Sequence, residues 1–145
     1  MDAALPADLQ EVIHVSTLAD DAPVIVVANI ANEARSHNRQ AEIAGLLVFD
    51  GMYFCQQLEG RAAPIAVVME RVSRDPRHHH LTVVHRGPLD KRRFSRFSRF
   101  SRFSRFSLGY TSVEDVELLV RLQQLQGQAA LEAFLNLLCG LDMDG

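Results

Sequence analysis

Two apolar runs around Asp50-Gly51 constrain the fold more than any other feature of the chain. The runs are residues 43–49 (IAGLLVF) and 52–58 (MYFCQQL). Asp-Gly between two such runs predicts a two-residue turn, because both central residues of that turn adopt positive φ. A β-hairpin is therefore predicted near the middle of the chain, and the other elements must be arranged around it.

Strand and helix patterns alternate on both sides of this hairpin. A short strand is predicted at residues 11–16, and helices are predicted at 23–37 and 62–74, where apolar residues recur at helical spacing. Another strand is predicted at 81–86, ended by Gly87-Pro88. The order βαββαβ is the ferredoxin-like order of an α+β fold, with a mixed sheet and both helices packed on one face.

The C-terminal segment is predicted to cover the other face of this sheet. An extra final strand is expected ahead of it, and Ser112 to Asp115 is a candidate cap for a helix that runs to about Gln126. Gly127 then breaks that helix, and a second helix is predicted at about 129–139. The two helices would form a helical hairpin.

The composition is that of a single folded domain of 145 residues. An apolar content of 48% and a net charge of −3 argue against disorder and make no overall case for nucleic acid or membrane partners. No run approaches the roughly 20 apolar residues that span a bilayer, and the acidic N-terminus is not a secretory signal. Cys55 and Cys139 are isolated, so we expect reduced thiols in a cytoplasmic protein.

Several kinds of catalytic or metal chemistry are not supported by the sequence. His78, His79 and His80 are consecutive, and adjacent residues of an extended segment point to opposite sides, which does not suit a zinc site. A solvated loop is the favoured interpretation, and no metal site is predicted. The sequence shows no phosphate-binding loop, nucleophile elbow or pair of catalytic carboxylates, so we do not expect an enzyme.

Residues 93–107 read RFS five times without interruption. A period of three matches neither an α-helix nor a strand. The favoured interpretation is a loop lengthened by tandem duplication, without a selected function of its own. The alternative is a module that binds single-stranded nucleic acid, with arginines on phosphates and phenylalanines stacked on bases.

The segment SHNRQAEIAGLLVFDGMYFCQQLEG, residues 36–60, resembles the signature of the BLUF family, the sensors of blue light using FAD. Three later blocks also resemble the family, namely RDPRH at 74–78, KRRFSRF at 91–97 and FSLGY at 106–110. The resemblance extends over about residues 10–110 and indicates the short, single-domain type. It implies a flavin-binding domain at 10–111, which includes the repeat, followed by a helical cap at 112–145.

The resemblance further implies an isoalloxazine ring held between the two helices on one face of the sheet. Asn38 is similar to the family's asparagine at the polar edge of the ring, with His37 beside it, and Gln56 to the glutamine near N5 and O4. Such amides suit a flavin edge because each offers both a donor and an acceptor. The other positions at which the resemblance implies contact with the cofactor are His14, Arg71, Asp75, Phe106 and Leu108.

Each of these residues also has an ordinary structural interpretation. Arg71 and Asp75 are four residues apart on the predicted second helix and share one face, so they could form a surface ion pair. Asn38 could be a helix C-terminal residue, and Gln56 could be a solvent-facing strand residue. Their joint occurrence at the family's spacing favours the binding interpretation.

The sequence departs from the family at the residue on which its light reaction depends. In the family, a tyrosine of the first strand supplies an electron and a proton to the excited flavin, and His14 stands at that position here. Imidazole exchanges protons, but it is a poorer electron donor than phenol. We therefore predict that FAD binding survives while the family's red shift on illumination is small or absent.

Three functions remain open at this point. The first is a flavin-binding sensor that regulates an unidentified protein partner by direct binding. The second is a light-blind BLUF domain that serves as an interaction module, with or without flavin. The third is nucleic-acid binding through the repeat. A homo-oligomer is also expected, because the apolar helices at 116–125 and 131–138 offer more surface than one small sheet face covers.

Overall fold

A computed structural model describes residues 8–23, 25–93, 109–112 and 117–140 of the chain, without the side chains of 109–112, 139 and 140. Within these residues the elements in chain order are β1 (Leu9–Leu18), α1 (Ile25–Gln40), β2 (Ala44–Phe49), β3 (Tyr53–Arg61), α2 (Ala62–Ser73), β4 (His78–Pro88), β5 (Gly109–Ser112), α3 (Leu118–Gln123) and α4 (Gln128–Gly140). None of the described helices is both long and apolar enough to cross a membrane.

The strands form one sheet in the order β4-β1-β3-β2-β5. Strand β1 lies between β3 and β4 and is antiparallel to both, whereas β5 runs parallel to β2. The predicted ferredoxin-like α+β fold is confirmed, including the extra final strand and the C-terminal helical hairpin. Strand β1 is a central strand, so its side chains alternate between the two covered faces of the sheet.

The hairpin between β2 and β3 forms as predicted, but its turn is different. Gly51 has a φ of 103°, whereas Asp50 does not adopt positive φ. The Asp50 carboxylate instead accepts hydrogen bonds from the backbone N–H groups of Met52 (2.9 Å) and Tyr53 (2.7 Å). The expectation of two positive φ values was wrong. Because the Asp50 side chain accepts the backbone N–H groups of the turn, only Gly51 has to adopt a positive φ.

Two boundaries were also predicted wrongly. Strand β4 begins at His78 rather than at 81, so the histidine run belongs to a strand that pairs with β1 instead of a solvated loop. Ser112 pairs with β2 as the last residue of β5 and is therefore not a helix cap. Residues 113–116, which complete the proposed cap, lie outside the described residues.

The two faces of the sheet are covered by different helices. On one face, α1 and α2 pack over separate apolar clusters; on the other, α3 and α4 bury a larger cluster against β1, β2, β3 and β4. Leu119, Leu122, Phe134 and Leu138 are among its buried members. The helical hairpin thus covers the second face, as predicted, and its buried apolar side chains do so within one chain.

Strand β4 contains two irregularities, and the helical hairpin is attached at both. The register between β1 and β4 shifts between Ile13 and His14 and again between Val15 and Thr17. The Val84 carbonyl, at the first shift, accepts from the Gly127 N–H (2.8 Å), and the His80 carbonyl, at the second, accepts from Gln123 Nε2 (3.0 Å). Bulges leave carbonyls without a ladder partner, and here the hairpin supplies one.

A buried polar network anchors the first residue of the repeat. Glu11 and Glu59 are fully buried and face each other on β1 and β3. Arg93 donates to Glu11 through Nε (2.5 Å) and Nη2 (2.9 Å), and its backbone N–H donates to Glu59 (3.2 Å). Gln57 Nε2 donates to both carboxylates, at 2.8 and 3.0 Å. A buried carboxylate requires such partners, so Arg93 is a structural component of the sheet.

Candidate functional site

A cavity of about 420 Å³ lies between α1, α2 and the sheet. This volume is within the range of small-molecule and cofactor sites. Its apolar walls come from both helices and from the strands beneath, and they comprise Ile30, Ala34, Leu47, Phe54, Val68 and Val72. Its polar lining residues are His14, Ser16, Glu33, His37, Asn38, Gln56, Arg71, Asp75, Arg77 and His78.

The six predicted site residues that the structure describes all line this one cavity. They are His14, His37, Asn38, Gln56, Arg71 and Asp75. The remaining two, Phe106 and Leu108, lie outside the described residues. Gln56 is buried rather than solvent-facing, and Asn38 lies within α1, two residues before its end.

Alternation along two paired strands brings His14 and Gln56 together. His14 of β1 lies directly opposite Gln56 of β3, and both side chains point to the face that carries α1 and α2. His14 Nε2 lies 2.8 Å from Gln56 Oε1 and donates to it when the proton is on Nε2. Burial lowers the pKa of His14 to about 4, so the imidazole is neutral at pH 7.

Asn38 presents a buried amide to the cavity. Its side chain is 1% exposed, and neither Oδ1 nor Nδ2 has a partner among the described residues. A buried amide without partners costs roughly 1–3 kcal/mol. Because the Asn38 side chain faces the cavity, a ligand with a donor and an acceptor on one edge would remove this cost.

The predicted arrangement of Arg71 and Asp75 was wrong. Helix α2 ends at Ser73, and Asp75 lies beyond that end, before Pro76, so the two residues do not share a helix face. Proline has no N–H to continue a helix and disfavours helical φ and ψ in the preceding residue. Asp75 is instead paired with Arg77, and this pairing holds the pKa of its carboxyl below the usual range.

Sequence reasoning missed four polar residues of the cavity, among them Ser16 of β1. Arg77 and His78 lie in the RDPRH block, which supplied a motif but no role for either residue. His78 lines the cavity because β4 begins there, and its Nε2 lies 2.7 Å from the Val72 carbonyl oxygen. Glu33 lies four residues before His37 on α1, a spacing that places both on one helix face and could have identified it.

The residues of the cavity fit a flavin ring. A flat aromatic system needs apolar walls on both sides, which α1 and α2 supply, and a polar edge, which Asn38 and Gln56 supply. This fit depends on the amide of Asn38, which has no partner in the part of the chain that the structure describes. By contrast, the described residues contain no group of three His, Cys, Asp or Glu side chains that could hold a metal ion.

These features define a class of protein: a small α+β domain with a cavity between two helices on one face of its sheet, whose lining fits a flat, polar-edged ligand. The family profile described as "Sensors of blue-light using FAD" matches residues 9–99, which is more than half of the chain. The chain therefore belongs to the BLUF family. FAD is the cofactor of that family, and the domain itself is a sensor.

Known proteins agree with this assignment. The blue light- and temperature-regulated antirepressor BluF of Escherichia coli (strain K12) is 32% identical over 73 residues, which are 50% of this chain and 18% of that protein. Among solved structures, BlsA in its photo-activated state gives a TM-score of 0.73 at 20% identity, covering 94% of this chain and 99% of that one. BlrB in its dark state gives 0.71 at 23% identity, covering 94% and 100%.

The chain spans less than a fifth of the length of the antirepressor, so the likeness concerns the sensor domain. The likeness to BlsA and BlrB concerns the fold.

Proposed function

We propose that this domain binds FAD in the cavity between α1 and α2, and that the substitution of His14 for the family's tyrosine removes most or all of its light response. The observation that carries the first part is the buried amide of Asn38, which has no hydrogen-bond partner among the described residues and lines a cavity of about 420 Å³. The bound cofactor would supply absorption of blue light.

The roles of the chain's own residues follow from their burial. Asn38 would offer one donor and one acceptor to the polar edge of the ring, and Gln56 would offer its amide from the sheet side. Val68 of α2 and Ala34 of α1 would contribute to the apolar walls and exclude water. Arg71 and His37, both exposed at the cavity, would remain near solvent.

His14 preserves the hydrogen bond to the glutamine but not the redox chemistry of a phenol. The described cavity lining includes neither tyrosine nor tryptophan, and the chain has no tryptophan at all. Tyr53 packs against the cluster beneath α3 and α4, on the opposite face of the sheet. The side chain of Tyr110 lies outside the described part of β5. A buried neutral imidazole is a poor electron donor, so the glutamine would keep its dark arrangement under blue light.

Any signal would reach a partner protein through the helical cap or the sheet surface. We place the flavin-binding part at residues 10–111 and the helical cap at residues 112–145. The alternative is a light-blind interaction module of the same fold that works without flavin. Nucleic-acid binding by the repeat is less favoured, because Arg93, its first residue, is bound to the buried Glu11 carboxylate.

Absorption spectra before and after blue illumination test both parts of the proposal. The purified protein, supplied with FAD, is expected to show the bands of oxidised flavin and little or no red shift on illumination. His14→Tyr restores a phenol opposite Gln56 and is expected to give a reversible red shift. His14→Phe is the matched control, because it supplies an aromatic ring of similar size without a hydroxyl, and it should bind FAD without a shift.

Each part fails on a different result. A full, reversible red shift in the unsubstituted protein would show that His14 does not abolish the light response. If the protein, once separated from unbound FAD, shows no flavin bands, the binding proposal is contradicted and a flavin-free interaction module is favoured.

A further inference from the structure

A cluster of buried ionisable groups lies on the face of the sheet opposite the cavity. Glu11 of β1 and Glu59 of β3 are fully buried in directly opposed positions, and Gln57 Nε2 donates to both carboxylates. These side chains share the face of Ile13 and Cys55, which pack under α3 and α4, because alternate residues of a strand point the same way. None of the three polar residues lines the cavity, so the proposed function leaves this cluster without a role.

Arg93 is bound by this cluster through its side chain and its backbone. Its Nε and Nη2 donate to the two oxygens of the Glu11 carboxylate (2.5 and 2.9 Å), and its backbone N–H donates to Glu59 Oε1 (3.2 Å). His85 of β4 contributes from a third strand, with its Nε2 3.3 Å from Glu11 Oε1. A guanidinium presents parallel N–H groups in a fixed fork that matches one carboxylate, whereas the ammonium of lysine is a point charge. The geometry of the cluster therefore favours arginine.

The sequence after Arg93 offers the same chemistry again. Residues 93–107 are five RFS units, so arginine recurs at positions 96, 99, 102 and 105, each time followed by Phe-Ser. Only the first unit is preceded by Arg92, whereas serine precedes each of the others. Arg92 donates to the backbone carbonyls of Glu59 (3.0 Å) and Glu42 (2.7 Å). These two hydrogen bonds favour Arg93 over the later arginines as the residue bound by the cluster.

The length of the chain allows later units to reach the cluster. Glu59 pairs with Ala44 of β2, and Gly109, the first residue of β5, pairs with Leu46 of β2. Two strand spacings and two residues along β2 place Glu59 about 12 Å from Gly109. An extended chain covers about 3.3 Å per residue, so about four or five residues bridge this distance. The arginines of the second, third and fourth units precede Gly109 by 13, 10 and 7 residues, so each can bind while β5 keeps its pairing.

We propose that Glu11, Gln57 and Glu59 form a guanidinium-binding site for the arginines of the repeat, and that a later arginine takes the place of Arg93 when Arg93 is lost. The bound position then moves along the chain in steps of three residues, because only arginine carries the fork. Each step changes the loops on either side of the site by three residues, which costs little because loop-closure entropy varies slowly with length. The repeat can therefore gain or lose units while the sheet stays intact.

Thermal unfolding of the full chain with substituted arginines tests this proposal. Arg93→Gln is expected to lower the midpoint by about as much as Arg92→Gln, roughly 5 °C, because the shifted chain loses the contacts of Arg92 but keeps a guanidinium in the site. Substitution of all five repeat arginines by glutamine leaves the buried carboxylates without that cation and should lower the midpoint by at least about 10 °C. The number of exchange-protected arginine Nε–H signals in NMR spectra should be the same in Arg93→Gln as in the unsubstituted protein.

Two matched variants separate replacement of Arg93 from other effects of the substitutions. Glutamine at positions 96, 99, 102 and 105 with Arg93 kept should leave the midpoint unchanged, although this variant loses nearly as much positive charge as the fivefold one. A variant that keeps Arg99 alone among the five should have the midpoint of Arg93→Gln, because one arginine within reach is enough. The variant with Arg99 also keeps the test decisive if the fivefold variant does not fold.

Three results would overturn the proposal. If Arg93→Gln lowers the midpoint as much as the fivefold substitution, the later arginines do not take its place. If the fivefold variant is as stable as the unsubstituted protein, the cluster does not require a guanidinium. If the midpoint of Arg93→Gln rises with protein concentration, the replacing arginine comes from a second copy of the chain, and replacement within one chain is wrong.

Discussion

Buried polar side chains with incomplete hydrogen bonding concentrate around the cavity at the scale of single residues. Asn38 has neither of its amide atoms paired within the described chain, and the Nδ1 atoms of His14 and His78 are also buried without a partner there. Folded proteins pair most such groups, because an unpaired buried donor or acceptor is costly. Retention of several around one cavity is the arrangement expected if the proposed ligand supplies the missing partners.

Replacing Asn38 by leucine is expected to separate stability from binding. The apoprotein should become about 1 kcal/mol more stable, because an unpaired amide is replaced by an apolar group of similar size. FAD affinity should fall at least about tenfold, because the ring edge loses a donor and an acceptor. Urea denaturation and fluorescence titration measure the two effects. Asn32→Leu, on the exposed side of α1, is the control, and an apoprotein destabilised by Asn38→Leu would contradict this view.

The neutral state of His14 predicts how stability varies with pH. Burial lowers the pKa of the folded state to about 4, below the ordinary value of 6.5, so protons bind preferentially to the unfolded chain. The stabilising contribution is complete above pH 6.5 and is lost as the pH falls towards 4, by about 2 kcal/mol at pH 5. The difference in free energy of unfolding between the unsubstituted protein and His14→Gln should follow this curve. A difference that does not vary between pH 7.5 and 5 would exclude it.

At the scale of elements, the irregular strand β4 connects the cavity side of the sheet to the helical hairpin. His14 lies between the two register shifts, and the carbonyls of Val84 and His80 at those shifts accept from Gly127 and Gln123. The α3–α4 connection is therefore attached to the sheet by specific hydrogen bonds as well as by apolar packing. Gly127 suits this place because its φ of 63° is in the left-handed region.

Substitution of Gly127 by alanine is expected to destabilise the protein by about 1 kcal/mol. Apart from its chain neighbours, none of the described residues has a heavy atom within 4 Å of the added Cβ. The N–H bond to Val84 is retained, so the loss reports backbone conformation alone. Gly127→Asn should lose less, since asparagine tolerates this region better. Urea denaturation measures both. Gly87→Ala is the control, because its φ is outside the left-handed region and its Cβ would make an ordinary contact with His85 at 3.8 Å.

At the scale of the whole molecule, one sheet separates two unlike halves. The face under α3 and α4 carries a continuous apolar cluster, whereas the face under α1 and α2 is divided by the cavity. A ligand in that cavity would complete the second half of the core. Stability should therefore depend on FAD concentration.

The midpoint of thermal unfolding is expected to rise with FAD. A ligand at 100 times its Kd that binds only the folded state adds about 2.7 kcal/mol. For a domain of this size this corresponds to roughly 5–10 °C. Differential scanning fluorimetry across a range of FAD concentrations measures the shift. The Asn38→Leu variant should show a much smaller one, and equal shifts in both proteins would mean that FAD binds elsewhere.

Local patterns in the sequence determined most of the elements, their order and the membership of the cavity lining. The apolar runs around Asp50-Gly51 and the helical spacing in 62–74 are patterns among near neighbours. They therefore predict the hairpin and the second helix without a structure. The family motif likewise identified Asn38, Gln56 and His14 as site residues. Their positions along α1, β3 and β1 place all three side chains on one face of the sheet.

Only the tertiary structure decided which polar groups are paired. Arg77 reaches Glu33 on α1 as well as the nearby Asp75, and His78 lies at the cavity. Arg93 is attached to Glu11 of β1. Only the fold brings these groups together, because Arg77 and Glu33, like Arg93 and Glu11, are far apart in the sequence. The neutral form of His14 has the same origin, since burial by surrounding elements sets its pKa. Such pairings depend on distances across the fold, and neither the period nor the propensity of a segment encodes them.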